Sequence, residues 1–362
     1  MVASISARGG VQAALGYYRH LGRDDYYTRG AEPPGRWAGE GSARLSLSGP
    51  VTRSEFDAAL RGIDPKTGER IAQLGGRAQQ HAAGWDMTFS APKSVSVLWA
   101  LSETRDRHMI ERAQAAAVTT TTRHLEQHAA WARRGKGGAI REQTAGLLMA
   151  KFDHHTSREL DPQLHTHVFV FNLAPRRDGT WGAIVSRELY KVQKQAGAVY
   201  REALANELER SGHAIERLPN SGFRIAAIPR SVERHFSKRR DVIEKAAALH
   251  GYNTPAGMEL AALRTRQAKR AVPREQLFDA WRAEAHEIGF ALDQNRALIR
   301  DTAVTRSLDR SPPTAAAQSL ASGADQLSRA ARQLDGNSSM PGLAIDLRDH
   351  EPVRRRTEER DR

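Results

Sequence analysis

The chain's 362 residues are enough for one large domain or two ordinary ones, and 40% hydrophobic against 27% charged residues lets it bury a core and stay in solution. The absence of cysteine excludes disulfides, thiolate metal sites and cysteine nucleophiles and fits a reducing bacterial cytoplasm; no apolar run of about eighteen residues offers a transmembrane helix, and Met1 to Gly10 lacks the apolar stretch of a secretory signal. Lys and Arg total 55 against 42 Asp and Glu, a net charge of +13, yet residues 301–362 are neutral, so the first 300 residues carry the whole surplus. That distribution suggests a polyanion bound by the folded region, although an arginine-rich proteome would give the same surplus.

Residues 11–21 read as a short helix, followed by a polar loop at Gly22–Asp25. Residues 37–49, rich in Gly and Ser, read as loop with short extended pieces. Helical spacing returns over 53–62, with Ser54 as the N-cap candidate. GWDMTFS (84–90) reads as a strand, and Pro92 opens a helix at the position its ring tolerates. A long helical pattern over 105–132 ends at the turn 133–138. Two strand-like segments, 145–153 and 164–173, are joined by a polar connection containing Asp161-Pro162. An Arg-Arg-Asp-Gly turn at 176–179 then leads to TWGAIVS, and the three strands together predict an antiparallel meander. Helical patterns follow at 187–211, 230–250, 257–270 and 274–289. Beyond about residue 300 the composition turns to Ser, Ala, Pro and Arg, which predicts a disordered tail or linker with one helix near 315–334.

His165 and His167 are two residues apart in a strand-like segment, a spacing that puts both imidazoles on one face. An isolated pair of this kind is usually solvated or hydrogen-bonded. His154, at the end of the preceding strand, can join the pair through antiparallel pairing, whereas His155 would point to the opposite face. Three neutral imidazoles on one divalent ion leave positions open for a substrate oxygen, as in catalytic metal sites. Such a site also needs a carboxylate to orient an imidazole. Asp86 is the candidate, and the residues alone do not choose it over Asp153 or Asp161.

Four of the seven tyrosines fall at Tyr17, Tyr18, Tyr26 and Tyr27. A phenol, with a pKa near 10, needs a nearby cation or base before it attacks. Attack on a phosphodiester leaves a phosphotyrosine of comparable energy to the bond broken, so the break can be resealed without ATP. Two pairs suit two successive transfers, but aromatic pairs also pack cores and stack on bases.

TFSAPKSVSVLWAL (88–101), HHTSRELDPQLHTHVFVFN (154–172) and the YY…DDYY pattern near the N-terminus resemble the MobF-class conjugative relaxases, TraI- and TrwC-like enzymes of the His-hydrophobe-His nuclease superfamily. The second segment is specific, because its Ser-Arg, its Asp-Pro-Gln-Leu-His-Thr-His and the upstream His all fall at family spacing. The resemblance covers about residues 1–300. It implies an α+β fold, an antiparallel β-sheet flanked by helices over about 1–225, with a helical part over about 226–300 that closes over single-stranded DNA. It further implies that Tyr17 makes the first cut and Tyr26 the terminating transfer, with Tyr18 and Tyr27 as their neighbours. His154, His165 and His167 match the metal ligands, and Asp86 the acidic residue beside them. The implied reaction is site- and strand-specific nicking at a plasmid transfer origin, giving a 5′-phosphotyrosine and a free 3′-hydroxyl.

The residue between the paired histidines is Thr166 rather than a bulky hydrophobe, a variant common in this class. Family members often continue into a helicase, but no G-x-x-x-x-G-K-[ST] phosphate loop occurs here, and Gly135-Lys136-Gly137-Gly138 lacks its spacing. This fits either a short relaxase or a piece of a longer protein. The alternatives are a rolling-circle replication initiator or a single-strand transposase of the same superfamily, and a non-catalytic DNA-binding relic. The first two usually place the tyrosine after the histidine pair; here the tyrosines precede it. A relic would have lost a histidine or the first tyrosine pair, and both are present. The divalent ion is magnesium, manganese or zinc: imidazoles favour zinc, phosphoryl chemistry magnesium. Expected partners are single-stranded and duplex DNA at the transfer origin, accessory relaxosome proteins and a coupling protein, with no membrane insertion. Candidate phosphate contacts are Arg133, Arg134 and Lys136 in the turn and Arg158 near the histidines.

Overall fold

The computed structural model describes residues 3–21, 33–72, 82–266 and 272–292, with the backbone alone for 17–21 and 255. The expected tail at 301–362, with its helix near 315–334, lies outside the described residues. Chain order begins with β1 (Ala3–Arg8), α1 (Val11–Leu21), β2 (Arg36–Ala38), α2 (Glu40–Arg44) and α3 (Arg53–Leu60). Next come β3 (Gly84–Ser90), α4 (Lys93–Leu101), α5 (Thr104–Ala129) and the ribbon of β4 (Trp131–Arg134) and β5 (Ile140–Gln143). The long strands β6 (Met149–Thr156) and β7 (Pro162–Phe171) lead to a minimal ribbon, β8 (Ala174–Pro175) with β9 (Trp181–Gly182). Then follow α6 (Ser186–Arg210), the hairpin β10 (Ile215–Leu218) and β11 (Gly222–Ile225), and the helices α7 (Arg230–His235), α8 (Lys238–Leu249), α9 (Pro255–Arg264) and α10 (Arg274–Glu287).

Among the described residues the main sheet has five antiparallel strands in the order β1-β3-β7-β6-β2. Helices flank it, in agreement with the expected fold class. Strand alternation gives the sheet two faces. One carries Trp85, Met87, Phe89, Leu164, Val168 and Val170, which pack with α4, α5 and α6 in the larger core. Helices α5 and α6 each turn a buried stripe inward, Ala113, Ala117 and Thr121 on one, Ala196, Gly197 and Tyr200 on the other. The second face carries Phe152, Phe169 and Phe171 under Phe56 of α3 and under Ala14 and Leu15 of α1. Gly84 is required at the start of β3, since a Cβ there would lie 2.4 Å from the Val170 carbonyl oxygen.

Several expectations are corrected. The predicted meander holds only for β6 and β7, because the far edge of β7 is occupied by β3. TWGAIVS therefore has no edge of the main sheet to join, and it pairs instead through Trp181–Gly182 with β8 and through an Ala132–Ile184 bridge with β4. The N-cap of α3 is Thr52, not Ser54: its side chain accepts from the Glu55 N–H and the Glu55 carboxylate accepts from the Thr52 N–H, a capping box. The first strand starts at Met149 rather than 145, since the Leu147 N–H donates to Glu126 Oε1 at 2.9 Å instead of to a strand. The turn expected at 133–138 has Arg133 and Arg134 already in β4. The 230–250 helix breaks at Phe236–Ser237 into α7 and α8. Strands β1, β10 and β11 had no counterpart in the sequence reading.

Phe56 is fully buried, with its ring centroid 5.0 Å from that of Phe169, 4.9 Å from that of Phe171 and 6.1 Å from that of Phe152. Phe56→Ala is expected to destabilise the fold by about 3–5 kcal/mol, read from the midpoint of denaturant unfolding. A loss below about 1 kcal/mol would mean that α3 is not held by this aromatic cluster.

Candidate metal centre

Strand β7 alternates buried and half-buried residues from Pro162 to His167, then is buried on both faces through Phe171. The second face of the sheet is therefore apolar at one end and open at the other. His165 and His167 stand at the open end. Pairing of β6 with β7 sets His154 directly opposite His165. The three imidazoles form a triangle with ring centroids 5.3, 5.1 and 5.2 Å apart, and their candidate ligand nitrogens lie within 4.8 Å of one another. The register shifts immediately afterwards, between His154 and Thr156.

Two of the imidazoles are oriented by hydrogen bonds at Nδ1. His165 Nδ1–H donates to the Gln163 carbonyl at 2.8 Å. His167 Nδ1–H donates to Asp86 Oδ1 and Oδ2, at 3.0 and 3.1 Å. Both acceptors lack a proton to give, so both rings keep Nε2 as the lone-pair atom for a ligand bond. Asp86 belongs here because β3 pairs with β7, setting Thr88 opposite His167 and Asp86 one step along the same face. The Asp86 side chain is 3% exposed, and a buried carboxylate needs a charge partner. Arg8, on the neighbouring β1, supplies it with Nη2 3.0 Å from Oδ2. The Thr88 hydroxyl sits 3.0 Å from His167 Nδ1 and 3.5 Å from Asp86 Oδ2, donating to the carboxylate.

The other two carboxylates considered do not meet an imidazole of the triad in the hydrogen bonds that place Asp86 there. Asp153 accepts from the Thr166 hydroxyl on the opposite face, at 2.6 Å. Asp161 is buried between Lys93 and Lys238 at the start of β7, and burial raises its pKa. The Lys93 ammonium donates to the Pro162 carbonyl at 2.8 Å, and burial pulls its pKa down to about 8. His155 turns away from the triad, as alternation predicts, and stacks on Trp99 of α4 at 5.1 Å and 11°. Burial, with Arg274 and His165 nearby, pushes its pKa down to about 3, so it stays neutral.

Tyr17 and Tyr18 lie on α1, whose buried residues pack on the face that carries the triad; their side chains, and Tyr26 and Tyr27 altogether, fall outside the described residues. Arg133, Arg134 and Lys136 are on the β4–β5 ribbon, outside the main sheet. Arg133 and Lys136 are exposed, whereas Arg134 pairs with Glu142 at 3.0 Å and with Asp178. Arg158 sits in the turn between β6 and β7, where burial and the positive Arg266 and Arg239 lower its pKa. Sequence reasoning missed Arg8 and Thr88, although the alternation in ASISAR was a usable signal. It also missed Arg36, Arg112, Lys151 and Arg274, which line a cleft of about 600 Å³ that reaches His154 and His165. Among the described residues, no helix is long and apolar enough to cross a membrane.

The family model described as TrwC relaxase matches residues 11–288. The multifunctional conjugation protein TraI of Escherichia coli K12 is 32% identical over 300 residues, which are 80% of this chain and 16% of that protein. The chain thus spans 16% of the length of this curated relative. Conjugative relaxase TrwC in complex with oriT DNA, in a metal-free structure, superposes with a TM-score of 0.70 at 31% identity, covering 80% of this chain and 99% of that one. A copper-bound TrwC complex with oriT DNA gives 0.69 at 34%, with the same coverage.

Asp86→Asn keeps the side-chain shape but removes the charged acceptor that orients His167. Divalent-ion affinity, measured by calorimetry, is expected to fall about 10–100-fold while the far-ultraviolet circular dichroism stays that of the wild type. Unchanged affinity would show that the Asp86–His167 contact does not orient the ligand.

Proposed function

This chain belongs to the TrwC relaxase family, and on that premise we propose that it nicks one DNA strand at a plasmid transfer origin and passes the strand on, initiating conjugative mobilisation. The observation that carries the proposal is the triad of His154, His165 and His167 with Asp86 behind His167. Three neutral imidazoles suit a divalent ion and leave coordination positions open. When bound, such an ion polarises the scissile phosphate and offsets charge that develops on its oxygens.

The chain's own residues do the rest. Asp86 and the Gln163 carbonyl hold the His167 and His165 rings in one tautomer, which leaves Nε2 of each for the ion. Arg8 pairs with the buried Asp86 carboxylate and offsets its charge. We assign Tyr17 as the nucleophile of the first cut and Tyr26 as that of the terminating transfer, with Tyr18 and Tyr27 as their neighbours. The Tyr17 oxygen bonds to phosphorus, the bond from phosphorus to the 3′ oxygen breaks, and a 5′-phosphotyrosine and a 3′-hydroxyl result. Support comes from the placement of α1 on the triad's face of the sheet.

The basic surplus engages single-stranded DNA in the cleft beside the triad and duplex DNA at the exposed β4–β5 ribbon, through Arg133, Lys136 and, once its ion pairs exchange, Arg134. Arg158 reaches the same strand near β6 and β7. Residues 1–300 constitute the relaxase domain, catalytic to about 225 and helical beyond, with 301–362 a tail or linker. The protein works in the bacterial cytoplasm with accessory relaxosome proteins and a coupling protein.

The test is a nicking assay on supercoiled plasmid carrying candidate transfer origins, with a divalent ion. The wild type is expected to form a covalent protein–DNA adduct. Tyr17→Phe should abolish it, and His165→Ala should slow it at least about 100-fold, the size of loss when a stabiliser of transition-state charge is removed. Absence of any adduct, on cognate single-stranded oligonucleotides as well, would leave the chain a DNA-binding relic of the fold.

A further inference from the structure

A chain of hydrogen bonds, buried except at its last member, runs behind the histidine triad, on the opposite face of the sheet. The Tyr200 hydroxyl of α6 donates to Gln114 Oε1 of α5 at 2.6 Å. Gln114 Nε2 donates to Thr166 Oγ1 at 3.2 Å, and Thr166 Oγ1 donates to Asp153 Oδ1 at 2.6 Å. Every donor points the same way and the last acceptor is a carboxylate, an arrangement in which successive bonds strengthen one another. Tyr200, Gln114 and Thr166 are 0%, 5% and 1% exposed and Asp153 is half-buried, so the first two bonds are shut off from water and the last lies at the edge of the cleft.

The position of the last bond gives the chain its purpose. Thr166 is the residue between His165 and His167, and it stands opposite Asp153 in the β6–β7 register. The next pair along is His154 opposite His165, and just beyond it the register breaks. The Thr166–Asp153 bond therefore joins the two strands one residue from the bulge and one residue from the ligand pair. A strand that slips by one residue turns its side chains to the other face. Such a slip of β6 would carry His154 away from His165 and His167. Backbone pairing alone resists it weakly beside an irregularity, whereas a side-chain bond tied to two long helices resists it strongly.

We propose that Tyr200, Gln114 and Thr166 are positioning residues for the metal centre, acting through Asp153 to hold His154 against His165 and His167. The hydroxyl at position 166 is then a functional requirement. The inference rests on the metal-dependent reading above, but its test needs no DNA.

The experiment is calorimetric titration of the full chain with Mn2+ and with Zn2+, for the wild type, Thr166→Val, Thr166→Ser and Tyr200→Phe, alongside thermal unfolding of each. Thr166→Val is nearly isosteric and is expected to lower ion affinity about tenfold, the lower end of the effect of losing an outer-sphere partner. Thr166→Ser keeps the hydroxyl and is expected to bind as the wild type does. Tyr200→Phe leaves the strands untouched, stands in if the valine variant does not fold, and is expected to weaken binding about threefold, less than an outer-sphere loss beside a ligand. Variants that melt earlier yet bind ions as tightly as the wild type would reduce the relay to ordinary core packing and overturn the inference. So would a serine variant as weak as the valine one. A wild type that binds neither ion removes the metal-dependent reading and this inference together, whereas tight wild-type binding unaffected by the substitutions removes the inference alone.

Discussion

The register of three antiparallel strands is the constraint on which the site depends. With β7 between β3 and β6, His165 faces His154 on one side while His167 and Thr88 face each other on the other. Side chains alternate with a period of two, so this pairing alone puts three imidazoles and Asp86 on one face and Leu164, Thr166 and Val168 on the other. Neither neighbouring strand can shift by one residue without exchanging polar ligands for core side chains. The apolar residues that set the register lie mainly at the far end of β7, where Val168 to Phe171 are buried on both faces. Packing at one end thus fixes geometry at the other.

Electrostatics follows the same plan. The buried Asp86 carboxylate is paired with Arg8 from β1 on one side and accepts a hydrogen bond from His167 Nδ1–H on the other. A buried charge without such partners costs several kcal/mol and would protonate instead. Nearby His155, stacked on Trp99, is held neutral by burial. A second buried carboxylate, Asp161, is paired with Lys93 and Lys238 where the β6–β7 turn meets α8. The turn that follows the first ligand is thereby tied to the C-terminal helices, and Trp281 of α10 adds a bond to the Leu160 carbonyl at 2.8 Å.

The basic side chains of the cleft and of the β4–β5 ribbon stand in different surroundings. Cations in the cleft beside His154 are partly desolvated, as the lowered pKa of Lys151 reflects. Arg133 and Lys136 on the β4–β5 ribbon are exposed, where salt screens their charge. Arg134 differs from its neighbours, being committed to Glu142 and Asp178.

Local signals were legible in the sequence. The i, i+2 spacing of His165 and His167, the apolar periodicity of α5 and α6, and the strand β3 follow from interactions within one segment, and the residues alone declare them. The upstream His154 was legible as a candidate because antiparallel pairing is the simplest way to join two adjacent strands. The choice of Asp86 over Asp153 and Asp161 was not. Asp86 and His167 are 81 residues apart, and only the pairing of β3 with β7 brings them within 3.0 Å. Arg8 is likewise 78 residues from its partner. The failure of TWGAIVS to extend the sheet had the same origin, because a strand with the right pattern still needs a free edge, and β3 had taken it. Sequence by itself determined which segments bury which face. Tertiary structure decided which segments become neighbours, because strand order depends on competition among all edges at once and no single segment encodes it.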